Sequence, residues 1–255
     1  MINNSSAWKH YMETFFTTSE KIQHIIKSFN LTKTLFVSSI IIGEPHIGKK
    51  SLARYLFPDV PIVSGTDQDK VTQALEKYDE LIITDFEKLR NQNNFDFSNK
   101  RVIATANYMG NATLIDDLFG FIYTMPTLLE RPDDVRYLAN RFTQEARATL
   151  MLEQLDINPQ AIPLNLSKNT LSLKKSIYLY LVQHTMQSDE IEEVLYHYLL
   201  KHMDGNDAYR EYLGLYEKPL IQAGLKKFGS QLQLSQVLGI NRNTLRKKIH
   251  EHKLD

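Results

Sequence analysis

Cysteine is absent from the 255-residue chain. Its absence excludes disulfides, cysteine-ligated zinc and thiol nucleophiles, and it agrees with a protein kept in a reducing cytoplasm. Neither sign of charge is in excess: 30 Lys/Arg balance 30 Asp/Glu, for a formal net charge of zero. Overall charge therefore says nothing about a polyanionic partner, and only its distribution can. Long apolar runs are missing as well. The longest, Leu35 to Ile42, is interrupted by Ser38 and Ser39 and falls far short of the ~20 residues a membrane span needs. Met1 to Ser6 places no basic segment before an apolar run, so no secretory signal is expected. The eight histidines form no H-x-x-x-H pair, and His250 and His252 point to different sides of a helix, so no metal site is expected. These absences lead to the expectation of a cytoplasmic protein with no membrane partner.

What is present is ordinary for a folded chain: 42% hydrophobic and 24% charged residues, with a length suggesting one larger domain and one smaller. Trp8 to Phe29 carries apolar residues at helical spacing (Ile22, Ile25, Ile26, Phe29). Leu35 to Ile42, Leu81 to Thr84 and Arg101 to Ala106 are short apolar segments that predict buried strands. The first runs into Gly43 to Ser51, after which Leu52 to Leu56 predicts a helix. Strands alternating with helices argue for a parallel α/β sheet, with polar residues at the strand ends where ligands bind. Further helices are expected over Asp134 to Leu155, Ser172 to Gln183 and Asp189 to His202. Asp204-Gly205-Asn206-Asp207 is the best linker. The expected organisation is an α/β domain over residues 1–140, a helical subdomain over 141–203 and a DNA-binding domain over 208–255.

The C-terminal end predicts two short helices about a glycine turn. Gln231 to Leu238 offers Leu234, Val237 and Leu238 as an inward face, Gly239 makes the turn, and Asn241 is a good N-cap for a helix over Arg242 to His252. Two helices so joined make a helix-turn-helix whose second helix enters the major groove. Between Pro219 and Asp255 seven Lys/Arg face two acidic residues, a local +5 on a neutral chain, which is the footprint of phosphate contacts. Gly239-Ile240-Asn241-Arg242-Asn243-Thr244-Leu245-Arg246-Lys247-Lys248 resembles the recognition helix of Fis and of the C-terminal domains of NtrC-like activators, which reads G-I-N-R-x-T-L-R-K-K. The resemblance implies double-stranded DNA as partner, contacted by Asn241, Arg242, Thr244, Arg246, Lys247 and Lys248, at a pseudo-palindromic site read by a homodimer that pairs through about Glu190 to Phe228. A chromosomal DNA partner places the protein at the nucleoid.

Gly43-x4-Gly48-Lys49 is the skeleton of a phosphate-binding loop: the glycines let backbone N–H groups turn inward and the lysine reaches the phosphates. Lys50 stands where a magnesium-binding Ser/Thr is usual. The segment resembles the loop of sigma-54-dependent activators, an AAA+ family that writes it G-E-S-G-T-G-K-E. Arg101 to Asn107 is similar to that family's R-I-I-A-A-T-N, Asp117-Leu118-Phe119 to D-L-Y, and Leu128 to Val135 to L-R-E-R-x-E-D-I. The resemblance implies ATP or ADP at Gly43, Glu44, Gly48, Lys49 and Lys50. If the site is active, it implies Mg2+ and catalytic roles for Asp85, Glu87 and Asn107.

Departures from the pattern imply that the body is degenerate. No G-A-F-T-G-A loop for the sigma factor occurs, and only 36 positions separate Lys49 from Asp85. Phe86 separates Asp85 from Glu87, Gly120 and Phe121 occupy the place of an arginine, and Leu171 stands where the family's second sensor arginine falls. The function expected is a sequence-specific DNA-binding transcriptional regulator lacking the sigma-54 contact loop. The alternatives are a working ATPase that remodels a transcription complex, and a protein-interaction module placed on DNA beside the transcription machinery.

Overall fold

The computed structural model describes residues 15–152 and 158–254. The helical spacing read over residues 8–14 and the end of the Asp134–Leu155 segment lie outside the described residues. Contacts divide the chain into two compact units, Met1–Thr185 and Met186–Asp255. The division precedes the expected linker at Asp204–Asp207, so the helix before that linker falls in the C-terminal unit.

In the first unit five strands, β1 (Ser39–Ile42), β2 (Ile62–Ser64), β3 (Glu80–Thr84), β4 (Arg101–Ala106) and β5 (Phe121–Thr124), form one sheet in the order β2-β3-β4-β1-β5. Every pairing is parallel, with Ile40 of β1 opposite Ala104 on one side and Ile122 on the other. Alternate side chains divide between the faces, as the two-residue period of a strand requires. Ile41, Ile82 and Ile103 pack on one face with α1 (Glu20–Thr32) and α2 (Lys49–Leu56). Ile40, Ile42, Ile83 and Ala104 pack on the other with α3 (Gln68–Lys77) and α4 (Ala112–Leu118). The strand expected over Leu35–Ile42 starts late. Phe36 has φ +50° and Leu35 is exposed, so the first residues of that apolar run form a surface turn beyond the sheet edge.

After β5 a third cluster, including Leu128, Val135, Ala146, Leu173 and Ile177, joins α5 (Pro132–Thr149) to α6 (Asn169–Thr185). In the C-terminal unit α7 (Ser188–His202) and α8 (Ala208–Phe228) are followed by α9 (Gln231–Leu238) and α10 (Arg242–Glu251). Ile221, Leu234, Leu245 and Ile249 are its small core. Gly224 is what lets α8 and α9 approach: a Cβ there would lie 2.3 Å from the Leu234 side chain. Among the described residues no helix is long and apolar enough to cross a membrane.

Candidate functional site

The order β2-β3-β4-β1-β5 puts the end of β1 beside the ends of β4 and β5, the crevice in which open parallel sheets bind ligands. Gly43 leaves β1 with its N–H on Ala106 O at 3.2 Å. The loop closes at Gly48, φ +99°, the N-cap of α2; that left-handed conformation suits glycine. Lys49 turns back into this loop. Its Nζ donates to Gly43 O and Glu44 O, both at 2.6 Å, and to Asn107 Oδ1 at 3.1 Å. Burial pulls the Lys49 pKa from 10.5 to about 8, against the opposing pull of Glu87, Asp85 and Glu44. Lys50, by contrast, is exposed on the first turn of α2.

The three catalytic candidates converge here, from two strands. Asn107, following β4, donates through Nδ2 to Glu87 Oε1 at 2.5 Å. The second oxygen of that carboxylate is buried and makes no hydrogen bond to any described residue. Asp85 ends β3 with φ +54° and pairs with Lys88 at 3.0 Å. The extra residue between Asp85 and Glu87 is absorbed by a short 3-10 turn, Phe86–Lys88, that buries Phe86 and directs Glu87 toward Asn107.

Residues outside the predicted set hold the loop from the far side. Arg131 donates to Ile47 O at 2.8 Å and to Asp134 Oδ2 at 3.2 Å, and both side chains are almost fully buried. Asp134 also accepts from Thr17 Oγ1 and the Thr18 amide. Asp134 is therefore a buried ion-pair partner, whereas a carboxylate at a helix start suggests a cap first. The Arg-x-x-Asp spacing about Pro132 was the available signal. At the start of α6, Asn169 Nδ2 donates to Glu44 Oε2 and Pro45 O, each at 3.0 Å, and Asn169 Oδ1 accepts from Leu128 N. Thr170 donates through both its amide and its hydroxyl to His46 O. Leu171, at the position where the resemblance expects an arginine, is half-exposed. A cavity of about 850 Å³ opens beside Ile47, Gly48 and Ser51, walled by Phe16, Tyr137 and Thr170.

In the C-terminal unit the helix-turn-helix has the expected parts. Ser230 and Asn241 cap α9 and α10, accepting from Gln233 N at 3.5 Å and Asn243 N at 2.8 Å. Gly239, φ +64°, ends α9. Leu245 and Ile249 face inward, while Asn241, Arg242, Thr244, Arg246 and Lys247 are exposed on α10 or its cap. Lys248 differs from these residues in its surroundings. Its ammonium donates to Glu217 of α8, and His252 Nε2 lies 3.3 Å from the other Glu217 oxygen. Lys248 follows the buried Leu245 by three residues, which places it on the flank of the helix that meets α8. Glu217 and its partners were invisible in the sequence because they join residues 31 and 35 positions apart.

Comparison with known proteins agrees with these two units. Residues 213–252 match the family described as bacterial regulatory protein, Fis family. A stretch of 68 residues is 43% identical to the DNA-binding transcriptional regulator NtrC of Azospirillum brasilense, spanning 25% of this chain and 14% of that relative. NtrX from Brucella abortus in complex with ATP superposes with a TM-score of 0.54 at 15% identity, covering 94% of this chain and 69% of that one. Its complex with ADP gives 0.52 at 14% identity, covering 94% and 70%. The chain shares the fold of these NtrX structures, and its C-terminal unit ends in a helix-turn-helix that matches the Fis family over residues 213–252.

Proposed function

We propose that the chain is a sequence-specific DNA-binding transcriptional regulator, cytoplasmic and nucleoid-associated, whose AAA+ body takes an adenine nucleotide but turns it over poorly. The observation that carries the first half is α10: a helix capped by Asn241, anchored by Leu245 and Ile249, with Arg242, Thr244, Arg246 and Lys247 exposed along its free side. Exposed arginines on such a helix are suited to bidentate contacts with guanine edges. Genome-wide occupancy of the wild type beside Arg242→Ala tests it. Discrete peaks lost in the variant are expected; peaks unchanged by the substitution would overturn the reading.

The nucleotide half rests on the loop and the cavity beside it. Gly43, Glu44, Gly48 and Lys49 would hold the phosphates, and the apolar wall at Phe16 and Tyr137 fits a base. Glu87, whose second oxygen is buried without a hydrogen bond to any described residue, suits a magnesium ion or an ordered water. A bound nucleotide supplies the polyphosphate charge; the chain's part is to release Lys49 from the Gly43 and Glu44 carbonyls onto it. Poor turnover is supported by Leu171 and Phe121 in place of arginines, since hydrolysis needs several cationic groups about the terminal phosphate. The missing G-A-F-T-G-A segment supports a role other than activation of sigma-54 polymerase. One observation favours a working ATPase as the second reading, the Lys49–Asn107–Glu87 chain of bonds. Phosphate release by the purified protein, compared with Glu87→Gln, decides between them.

Pairing of two readers is part of the proposal. Ile191, Val194, Leu195 and Tyr198 recur at helical spacing on α7 and all are exposed, which supports a homodimer formed by the helices before the reader.

A further inference from the structure

The basic groups of α10 are not equivalent. Arg242, Arg246 and Lys247 are exposed, and Lys247 is paired only loosely, 3.7 Å from Glu251 on its own helix. Lys248 is held. Its side chain is 27% exposed, its ammonium is bonded to Glu217, and the same carboxylate meets His252. The bond from Lys248, with that from His252, keeps the Glu217 carboxyl below the usual carboxylate range. Gly214 sits against the His252 ring, where a Cβ would be in ordinary contact at 3.6 Å, so the C-terminal turn of α10 rests on α8.

Lys248 lies four residues beyond the exposed Thr244, one turn along nearly the same stripe of the helix. A lysine there with no partner would be one more charge for the phosphate backbone, and phosphate contacts strengthen binding to every sequence alike. Pulling Lys248 off Glu217 would leave a half-buried carboxylate without its nearest cation, so a DNA phosphate would have to outcompete that contact. The pair is therefore expected to persist on DNA.

We infer that Glu217 is a specificity-determining residue: by holding Lys248 it withholds one charge from the DNA backbone and lowers sequence-independent affinity, while bracing the recognition helix on α8. The inference rests on the DNA-reading role proposed for α10.

The test is the salt dependence of binding by the full chain to a 30-base-pair duplex of random sequence, for the wild type, Glu217→Gln, Lys248→Met and the double variant. Release of Lys248 in Glu217→Gln should steepen the slope of log K against log salt by about 0.9 per chain and raise random-sequence affinity roughly five- to tenfold at 0.1 M salt. Lys248→Met should keep the wild-type slope, and the double variant should return to it. A reader that had merely unfolded would lose slope instead of gaining it. An unchanged slope in Glu217→Gln, or a raised slope that survives in the double variant, overturns the inference and leaves the DNA-reading role standing. A wild type that binds no duplex overturns that role and the inference with it.

Discussion

The Lys49 ammonium lies 3.1 Å from the side-chain oxygen of Asn107, so the end of β4 and the phosphate loop share one cation. Asn107 in turn holds Glu87 through its amide. Displacement of Lys49 toward an incoming phosphate therefore breaks a bond to Asn107 and frees its carbonyl oxygen, while the amide still restrains Glu87. On the proposed nucleotide role, occupancy of the loop and the position of the acidic group would be coupled through one asparagine.

Lys49 gives a pH dependence whose sign is fixed. Its pKa is about 8 in the folded chain, against 10.5 for an unburied lysine. Below pH 8 it is charged in folded and unfolded chains alike, and its burial counts against the fold. Between pH 8 and 10.5 the unfolded chain binds the extra proton, so stability attributable to this group rises with pH. The stability difference between wild type and Lys49→Met, from urea titrations at pH 7.5 and 10, should shift in favour of the wild type. A polyanionic nucleotide favours the charged form, so binding near pH 8 to 9 should take up protons and weaken as pH rises. Calorimetry in buffers of different ionisation heat should show that uptake in the wild type; its persistence in Lys49→Met would assign it elsewhere.

The Arg131–Asp134 pair should dominate the mutational sensitivity of the first unit. Both partners are nearly solvent-free, and Arg131 also fixes the Ile47 carbonyl of the loop. Asp134→Ala leaves a buried guanidinium without its partner and should cost about 3–5 kcal/mol. Arg131→Met with Asp134→Leu should recover much of that stability yet blunt the thermal shift given by ATP, because the loop loses its anchor. Urea unfolding reads the first effect and thermal melting with ATP the second. A loss below about 1 kcal/mol for Asp134→Ala, the level of an exposed pair, would place the pair in solvent.

The legible parts were those whose signal is local. Arg101–Ala106 declared itself as a strand by an unbroken apolar run, and α9 and α10 by a glycine turn and an asparagine cap. Ile62–Ser64 and Phe121–Thr124, only three and four residues long and half-buried, gave no alternation to read. Helix α3, with Val71, Ala74 and Leu75 inward, was masked by its polar remainder. In the site, Gly43, Gly48 and Lys49 were visible from loop chemistry. Asn169 and Glu217 were not, since each acts on a partner far away in the chain. Lys248 shows the limit of a motif: the sequence supplies the charge, and only the fold reveals the carboxylate that binds it.

On DNA, the exposed groups of α10 should divide by role. Arg242→Ala and Arg246→Ala should each weaken binding to a selected operator by ~1–3 kcal/mol if they read base edges, with a smaller effect on random sequence. Lys247→Ala should weaken both alike and lower the salt slope by about 0.9. Fluorescence anisotropy against both duplexes separates these outcomes. Uniform losses for all three variants would mean that α10 binds only the backbone.

A single reader covers one half-site, and useful affinity comes from two readers matched to a pseudo-palindrome. The stripe Ile191, Val194, Leu195, Tyr198 on α7 meets the need for a pairing surface, since Ile191 and Val194 are 55% and 59% exposed. Burying such a stripe against its copy releases apolar area worth about 25 cal/mol per Å². The arginines that would reach a neighbour's phosphate in a nucleotide-linked ring are missing at Gly120 and Phe121, so the dimer should form without ATP. Light scattering should give twice the chain mass with or without nucleotide. Val194→Glu with Leu195→Glu should give a monomer that keeps the fold and loses roughly 10²–10⁴ in operator affinity, the avidity of a second linked reader. A wild-type monomer would leave α7 for another partner, and a hexamer appearing only with ATP would restore a working AAA+ ring.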